Sequence, residues 1–133
     1  MLSIELKTQL YELIKSLGYN VTDNGTYEEK FPWLMVRTSG HNRFDSFDLR
    51  TDAFSFTIDI FSTYAGEKEI LEIIENISNN IQDLRIQNNK IMFISQNSLR
   101  IIDDNKKGPV CKHGVVTYRF LCSSGLEEIE YEG

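Results

Sequence analysis

The segment Ala53–Thr63 constrains the fold more than any other part of this sequence, because bulky apolar and polar side chains alternate along it. A strand turns successive side chains to opposite faces, so this alternation predicts a strand with one buried face. The apolar face carries Phe54, Phe56, Ile58 and Ile60, and the other face carries Ser55, Thr57 and Asp59. A strand of this kind requires a second layer of structure to cover its apolar face.

Two segments have apolar stripes at the three-and-four spacing of an amphipathic helix. The first predicted helix runs from about Ser3, a favourable N-cap, to Leu17, and Gly18 follows as a left-handed cap. The second begins after Ala65 and Gly66. The stripes consist of Leu6, Leu10, Leu13, Ile14 and Leu17 in the first helix and of Ile70, Ile74, Ile77, Ile81 and Leu84 in the second. We expect both helices to pack on the apolar face of the sheet.

The remaining apolar runs are predicted as strands, and the polar runs between them as loops or turns. The further strands are Phe31–Val36, the two runs Ile91–Ile94 and Leu99–Ile102, and His113–Cys122. A bulge around Gln96 and Asn97 would join the two middle runs into one strand. Tyr19–Lys30 is predicted as a short extended piece with a hairpin or loop, Ser39–Thr51 as a long loop and Asp103–Lys112 as a turn.

The order helix, two strands, helix, two strands predicts an α+β fold. It would have an antiparallel sheet of four or slightly more strands with both helices on one face. The 133 residues fit a single domain spanning residues 1–133. Residues 125–133 are acidic and short of packing side chains, so we expect this tail to fray or to dock on a neighbour.

Composition argues against membrane and nucleic-acid partners. No run approaches the roughly 18 consecutive apolar residues that cross a bilayer. The N-terminal residues do not form a secretory signal, because Glu5 and Lys7 interrupt them. We therefore expect a cytoplasmic location and no membrane contact. The formal net charge of −6 repels phosphate, which disfavours specific nucleic-acid binding.

The sequence has no motif that would identify an enzyme. It lacks a glycine-rich phosphate loop, a His-Glu-x-x-His pair and a Gly-x-Ser-x-Gly elbow. Cys111, His113 and Cys122 are of types that bind metals, but the cysteines are eleven positions apart. A structural zinc site usually has one close cysteine pair. We therefore predict two unpaired thiols, no metal and no cofactor.

Acidic residues offer the remaining chemical alternative. An acid pair or a Mg²⁺ site could draw on Asp45, Asp48, Asp52 and Asp59. For Asp59 we favour an exposed carboxylate that pairs with a cation such as Arg119 across the sheet. His41 is expected to be solvated, and His113 to cap a strand or to contact another subunit. A small metal-dependent hydrolase using Asp59 and His113 is an alternative that requires both side chains to converge in a pocket.

The second face of the sheet combines polar and apolar side chains. Phe61 lies on the face away from the predicted core, and Val115 and Leu121 join it if the last strand turns its other residues inward. Those inward residues would be Val116, Tyr118, Phe120 and Cys122. Such a mixture is typical of protein interfaces. A position at the edge of the sheet would explain it equally well.

The order of these segments resembles that of a known family. An amphipathic helix leads to Phe31–Val36, then to a mixed-charge loop, the strand Phe56–Ser62, a long helix and the ending Lys112–Leu121. Over nearly its whole length, the chain resembles the tail terminator proteins of long-tailed phages and phage-derived tail particles. These are also called tail completion or tail-to-head joining proteins.

The resemblance implies a structural subunit that is not an enzyme and holds no cofactor. The subunit would form a ring, typically a hexamer, that caps the tail tube, stops its polymerisation and joins the head or neck. Its partners would be other copies of the chain, the tail tube protein and a head–tail connector or neck protein. DNA would pass through the ring without specific binding. Assembly would take place in the host bacterial cytoplasm, before the protein enters the virion or tail particle.

By the same resemblance, the Arg43–Asp52 loop and the Asp103–Lys112 turn would project toward neighbouring subunits or the tube. The side chains expected at such contacts are Arg43, Asp45, Asp48, Arg50, Phe61, Arg119 and Leu121. No catalytic residue is implied, since the family has no catalytic signature. Another head–tail connector or neck protein of the same particle is the alternative.

Overall fold

The alternating segment forms the central strand of a five-stranded sheet. The computed structural model of the protein describes residues 2–22, 31–45, 50–64, 66–86, 90–104 and 111–123. In chain order, the elements are α1 (Leu2–Ser16), β1 (Asn20–Thr22), β2 (Trp33–Asp45), β3 (Arg50–Ser62), α2 (Lys68–Asn80) followed by a 3₁₀ turn (Ile81–Asp83), β4 (Lys90–Asp104) and β5 (Cys111–Ser123). The predicted α+β class is confirmed. The predicted acidic tail, residues 125–133, lies outside the described residues.

The strands lie in the order β1-β2-β3-β5-β4, with β1 parallel to β2 and the other neighbours antiparallel. The predicted antiparallel sheet of four or slightly more strands is therefore corrected to a mixed sheet of five. The additional strand, β1, falls within the predicted extended piece Tyr19–Lys30. At three residues it is too short to reveal a period of two in the sequence.

The long loop predicted at Ser39–Thr51 is wrong over most of its length, because most of the segment belongs to the hairpin of β2 and β3. Arg43 stands opposite Asp52 in this hairpin, and Asp45 stands opposite Arg50. Opposite charges at directly paired positions stabilise antiparallel strands. A run that looks like a polar loop is therefore a ribbon with complementary charges. Residues 46–49 lie outside the described residues.

The turn predicted at Asp103–Lys112 is shortened at both ends, since β4 continues to Asp104 and β5 begins at Cys111. Residues 105–110 lie outside the described residues. Next to them, Lys112 Nζ lies 2.7 Å from Asp103 Oδ1, which joins the two strands. The paired strands therefore extend further than the polar sequence indicated.

Two predicted details of the elements are confirmed. Gly18 ends the region of α1 with a left-handed φ of 96°, and its N–H donates to the carbonyl of Lys15 at 3.0 Å. The two middle apolar runs join into β4, with a bulge between Gln96 and Ser98. Of the helices that the structure describes, none is long and apolar enough to span a bilayer.

The core lies between the two helices and one face of the sheet. Its fully buried side chains include Leu6, Leu10, Ile14, Leu34, Val36, Phe56, Ile58, Ile60, Ile70, Ile77, Val116, Tyr118, Phe120 and Cys122. The prediction that Val116, Tyr118, Phe120 and Cys122 of the last strand face the core is therefore confirmed. Tyr118 also shares a hydrogen bond of 2.6 Å with Ser78, hydroxyl to hydroxyl, which ties α2 to β5.

Gly114 lies where β5 approaches α2 closely. A Cβ at this position would lie 2.6 Å from Cγ2 of the buried Ile70, so the helix or the strand would have to shift. We expect Gly114→Ala to lower the free energy of unfolding by about 1–2 kcal/mol, because overpacking a buried site forces such shifts. Urea unfolding followed by circular dichroism measures this loss.

Gly40→Ala is the matched control for Gly114→Ala. The added Cβ would lie 3.7 Å from Ser55 Cβ, an ordinary van der Waals contact. The free energy of unfolding of this variant should be unchanged or higher, since alanine restricts the unfolded chain more than glycine does. Equal losses in the two variants would contradict the packing argument.

Candidate contact surface on the open face of the sheet

The sheet has a second face, turned away from α1 and α2, which we call the open face. Its members follow from the strand registers, since directly paired residues share a face. It includes Asn20 and Thr22 from β1, Trp33, Met35 and Arg37 from β2, Ser55, Thr57, Asp59 and Phe61 from β3, His113, Val115, Thr117, Arg119 and Leu121 from β5, and Ser95, Ser98, Arg100, Ile102 and Asp104 from β4. The open face therefore combines aromatic, aliphatic and charged groups.

Three rings form a continuous stack across the open face. Trp33, Phe61 and His113 are direct neighbours in the registers of β2, β3 and β5. The ring centroids are 4.6 Å apart for Trp33 and Phe61, and 4.3 Å apart for Phe61 and His113. The indole Nε1 of Trp33 donates to Thr22 Oγ1 at 3.3 Å. Side chains of four strands are thus tied together at one end of the open face.

Beside the stack lies a buried carboxylate, Asp59, which is 2% exposed. Arg37 Nε donates to Asp59 Oδ2 at 2.7 Å, and His113 Nε2 lies 2.9 Å from Oδ1. Burial alone would raise the pKa of the Asp59 carboxyl. The hydrogen bonds from His113 and Arg37, with the charges of both, outweigh burial and hold this pKa below its ordinary value. Asp59 is therefore a buried anion with both oxygens engaged.

The predicted environment of Asp59 is wrong in two respects. The carboxylate is buried rather than exposed, and the cation that pairs with it is Arg37 rather than Arg119. In the register, Val115 stands opposite Asp59, whereas Arg119 stands opposite Ser55. Val115 and Arg119 are four positions apart, roughly 13 Å along a strand. Arg119 is therefore too far along β5 to be the direct partner.

Asp59 and His113 do converge, as the alternative of a small hydrolase requires, but they form a hydrogen-bonded contact whose groups are already engaged within the fold. Each oxygen of the carboxylate already has a partner, and Phe61 covers one face of the His113 ring. A substrate would have to displace Arg37 or His113 to reach the carboxylate. Within the described part of the chain, no three His, Cys, Asp or Glu side chains are close enough to hold a metal ion.

Cys122 is a free, buried thiol. Burial, with a smaller contribution from the charge of Asp52, raises the pKa of this thiol to about 11. The thiol therefore stays protonated at neutral pH, whereas metal binding and nucleophilic attack require the thiolate.

Comparison with known proteins places this fold in a family. A family model described as tail completion protein gp17 matches residues 8–123. The chain belongs to the tail completion protein gp17 family. The resemblance to tail completion proteins is thereby confirmed, and the chain has a structural role in a tail.

A solved structure supports the fold of this tail completion protein. One chain in the virion of a native gene transfer agent (GTA) particle is similar, with a TM-score of 0.56 at 14% sequence identity. The match covers 89% of this chain and 92% of that chain. At this low identity the match shows a shared fold. No curated protein matches the sequence.

The hairpin of β2 and β3 holds a second buried carboxylate, Asp52. Arg50 Nε donates to Asp52 Oδ2 at 3.2 Å, and His41 Nε2 lies 2.8 Å from Oδ1. The His41 ring also stacks on Phe54, with centroids 4.3 Å apart. His41 is therefore partly exposed but has two partners within the subunit, where solvation alone was predicted. Arg50, predicted at a subunit or tube contact, pairs within its own hairpin.

The seven predicted contact residues fall into three groups. Arg43 and Arg50 are exposed on the hairpin, and Phe61, Arg119 and Leu121 are half-buried on the open face. Asp48 and the side chain of Asp45 lie outside what the structure describes. A contact of any of these residues with a neighbour or with the tube stays a prediction.

The sequence prediction missed Trp33 and Arg37. Both are placed by the pairing of β2 with β3, which no local pattern specifies. One signal was present, since a carboxylate in the middle of a strongly apolar strand requires a charged partner when it is buried. Searching the neighbouring strands for cations that share its face would have included Arg37.

Proposed function

We propose that this tail completion protein is a ring-forming subunit that caps the tail tube, ends its polymerisation and joins the tail to the head or neck. The observation that carries the proposal is the family match over residues 8–123. A closed ring on the end of a tube blocks further addition of tube subunits, which is one way to complete a tail. The fold shared with a chain of a gene transfer agent virion supports a place in a phage-like particle. We expect the ring to be a hexamer.

The partners of such a ring are other copies of the chain, the tail tube protein and a head–tail connector or neck protein. DNA would pass through the ring without specific binding, in keeping with the formal net charge of −6. Assembly would take place in the cytoplasm of the bacterial host, and the finished ring would remain in the virion or tail particle.

The second candidate is another connector or neck protein of the same particle. Both functions need a ring-forming subunit, so the fold supports them equally. They differ in what the absence of the protein does to the tail tube. Without a terminator the tube continues to grow, whereas without a connector the tube has its normal length but carries no head.

Deletion of the gene from a phage or prophage that produces the particle tests the proposal. We expect tail tubes of abnormal length that lack heads, because nothing stops polymerisation or offers a surface to the head. Negative-stain electron microscopy of the particles measures tube length and the fraction joined to heads. Expression of the protein in trans should restore both. Tubes of normal length without heads would favour the connector, and normal particles would contradict both functions.

A further inference from the structure

The open face is basic, although the chain as a whole has a net charge of −6. Its described side chains include Arg37, Arg100 and Arg119. Among the side chains that the structure describes on this face, the carboxylate is Asp59, which is already paired with Arg37. The register also places Asp104 on this face, two positions beyond Ile102. Arg100 is exposed. Ile102, which follows it two positions later on β4, has a side chain that is 45% exposed. The face thus presents an accessible aliphatic group among positive charges.

The outer side of α2 has the opposite character. The helix turns Ile70, Ile73, Ile74 and Ile77 toward the sheet. The exposed residues at its start and along its outer side are Glu67, Lys68, Leu71, Glu72, Glu75 and Asn79. Three carboxylates therefore surround one ammonium group and one aliphatic side chain, which is 44% exposed. This surface presents an accessible aliphatic group among negative charges.

We propose that the open face of one subunit binds the outer side of α2 of the next copy of this chain. This inference rests on the proposed function, in which the copies form a ring. Each surface has an exposed aliphatic group, Ile102 or Leu71, and the flanking charges are opposite in sign. Complementary charges of this kind steer association and fix the relative orientation of two partners. Both matching surfaces belong to this chain, which favours a second copy over a different protein.

The positions of the two surfaces determine the symmetry of the contact. The open face and α2 lie on opposite sides of one sheet, so the contact is head to tail. A head-to-tail contact produces a closed ring when the rotation between successive copies closes. A two-fold contact would instead bring arginines against arginines or glutamates against glutamates, which like-charge repulsion opposes.

An apolar row provides a centre for this contact. Trp33, Phe61, His113 and Ile102 are successive neighbours in the registers of four strands. The three rings are stacked, which restricts their movement. Ile102 extends the row to the edge strand β4. Interfaces typically place apolar groups at the centre and charged groups at the rim. Leu71 of the next copy would lie at the accessible end of this row, on Ile102, with its neighbouring glutamates beside the arginines.

Backbone pairing at the edge of the sheet is the competing contact between copies. β4 is an edge strand of 15 residues. An exposed edge can pair with another chain, but irregularities along it oppose such pairing. β4 has two register shifts, one between Ile91 and Phe93 and one between Gln96 and Ser98. These favour the open face over the edge.

Two charge reversals test the inference. Arg100→Glu reverses one charge on the open face, and Glu72→Arg reverses one charge on the outer side of α2. We expect each variant alone to need a subunit concentration about tenfold or more higher than the wild type for half-assembly into rings. An equimolar mixture should recover wild-type assembly, because the two variants can alternate around an even-numbered ring. Light scattering and electron microscopy measure the rings.

Lys15→Glu and Glu12→Arg are the matched controls, since they make the same charge changes at exposed positions of α1. Both should assemble as the wild type does, and circular dichroism should show all four variants to be folded. Wild-type assembly by Arg100→Glu or Glu72→Arg, or a folded mixture that does not assemble, would overturn the inference. Strong inhibition by the control reversals would also overturn it.

Tail length in the gene-deletion strain, with the same variants expressed in it, separates this inference from the proposed function. This test also applies if rings form only on tube ends. We expect normal tail length when both reversal variants are expressed together, and abnormal length with either one alone. Normal length with each variant alone would overturn the inference while the proposed function stands. Normal tails in the deletion strain itself would overturn the proposed function.

Discussion

Replacing Trp33 with alanine is expected to lower the free energy of unfolding by about 3–5 kcal/mol, the range for removing a large aromatic side chain from a buried site. Trp33 is 4% exposed and stacks on Phe61. Its indole also donates to Thr22, so alanine would remove a link between β1 and β2 and leave a cavity beside Phe61. Domains are typically stable by only about 5–15 kcal/mol. Urea unfolding followed by circular dichroism measures the loss.

Two comparison variants show whether burial and stacking cause this effect. Trp33→Phe keeps an aromatic ring on Phe61 and removes the hydrogen bond to Thr22, so it should cost less than Trp33→Ala. Tyr64→Ala removes an aromatic side chain that is 52% exposed, and it should change the free energy of unfolding by less than about 0.5 kcal/mol. A loss for Tyr64→Ala as large as that for Trp33→Ala would contradict the structural role of the stack.

The parts of the fold that the sequence predicted are those with a regular period. The alternation from Phe54 to Ile60 and the isoleucine stripe of α2 identified an inner strand and a covering helix, and both are buried as expected. A buried face requires apolar residues at a regular spacing in the sequence, two in a strand and three or four in a helix. The three residues of β1 and the polar part of the β2–β3 hairpin have no such face, so their strands could not be recognised.

The organisation of the open face could be predicted only in part. Alternation placed Phe61, Arg119 and Leu121 on it, which the registers confirm. It could not show that Arg37, rather than Arg119, pairs with Asp59, because a pair across the sheet depends on which residues of two distant segments stand opposite each other. The register of two strands depends on the packing of the whole sheet, and a shift of one residue changes every cross-strand pair. The composition of a face is therefore visible in the sequence, whereas its contacts are not.

The environment of Asp59 predicts how its contribution to the free energy of unfolding of the wild type depends on pH. Burial opposes the charged form, but hydrogen bonds from His113 and Arg37 outweigh it and lower the pKa of the carboxyl. A group whose folded pKa lies below its unfolded value, about 3.9 for Asp, adds stability above that value. This stability is lost as the pH falls through the folded pKa. The contribution of Asp59 is therefore constant near neutrality and disappears only in acid, below about pH 4.

Removing both partners of Asp59, Arg37 and His113, should reverse the direction of its pKa shift. In the double variant Arg37→Met with His113→Phe, burial acts on Asp59 without these two hydrogen bonds, so its pKa should rise above the ordinary value. We expect a loss of about 2–3 kcal/mol at neutral pH, less than for a fully buried pair because the Arg37 side chain is 50% exposed. Protonation of Asp59 relieves this penalty, so the stability difference from the wild type should narrow as the pH falls toward about 4.5.

The triple variant that adds Asp59→Asn is the control for this reversal. It removes the buried charge, so most of the lost stability should return at neutral pH, and the carboxyl that titrates is gone. Urea unfolding of the wild type, the double variant and the triple variant at several pH values between about 4.5 and 7 measures the differences. If the double variant stays below the wild type by the same amount at every pH, then Arg37 and His113 contribute packing and do not stabilise a buried anion. A narrowing difference that Asp59→Asn abolishes would assign the effect to the charge of this one carboxylate.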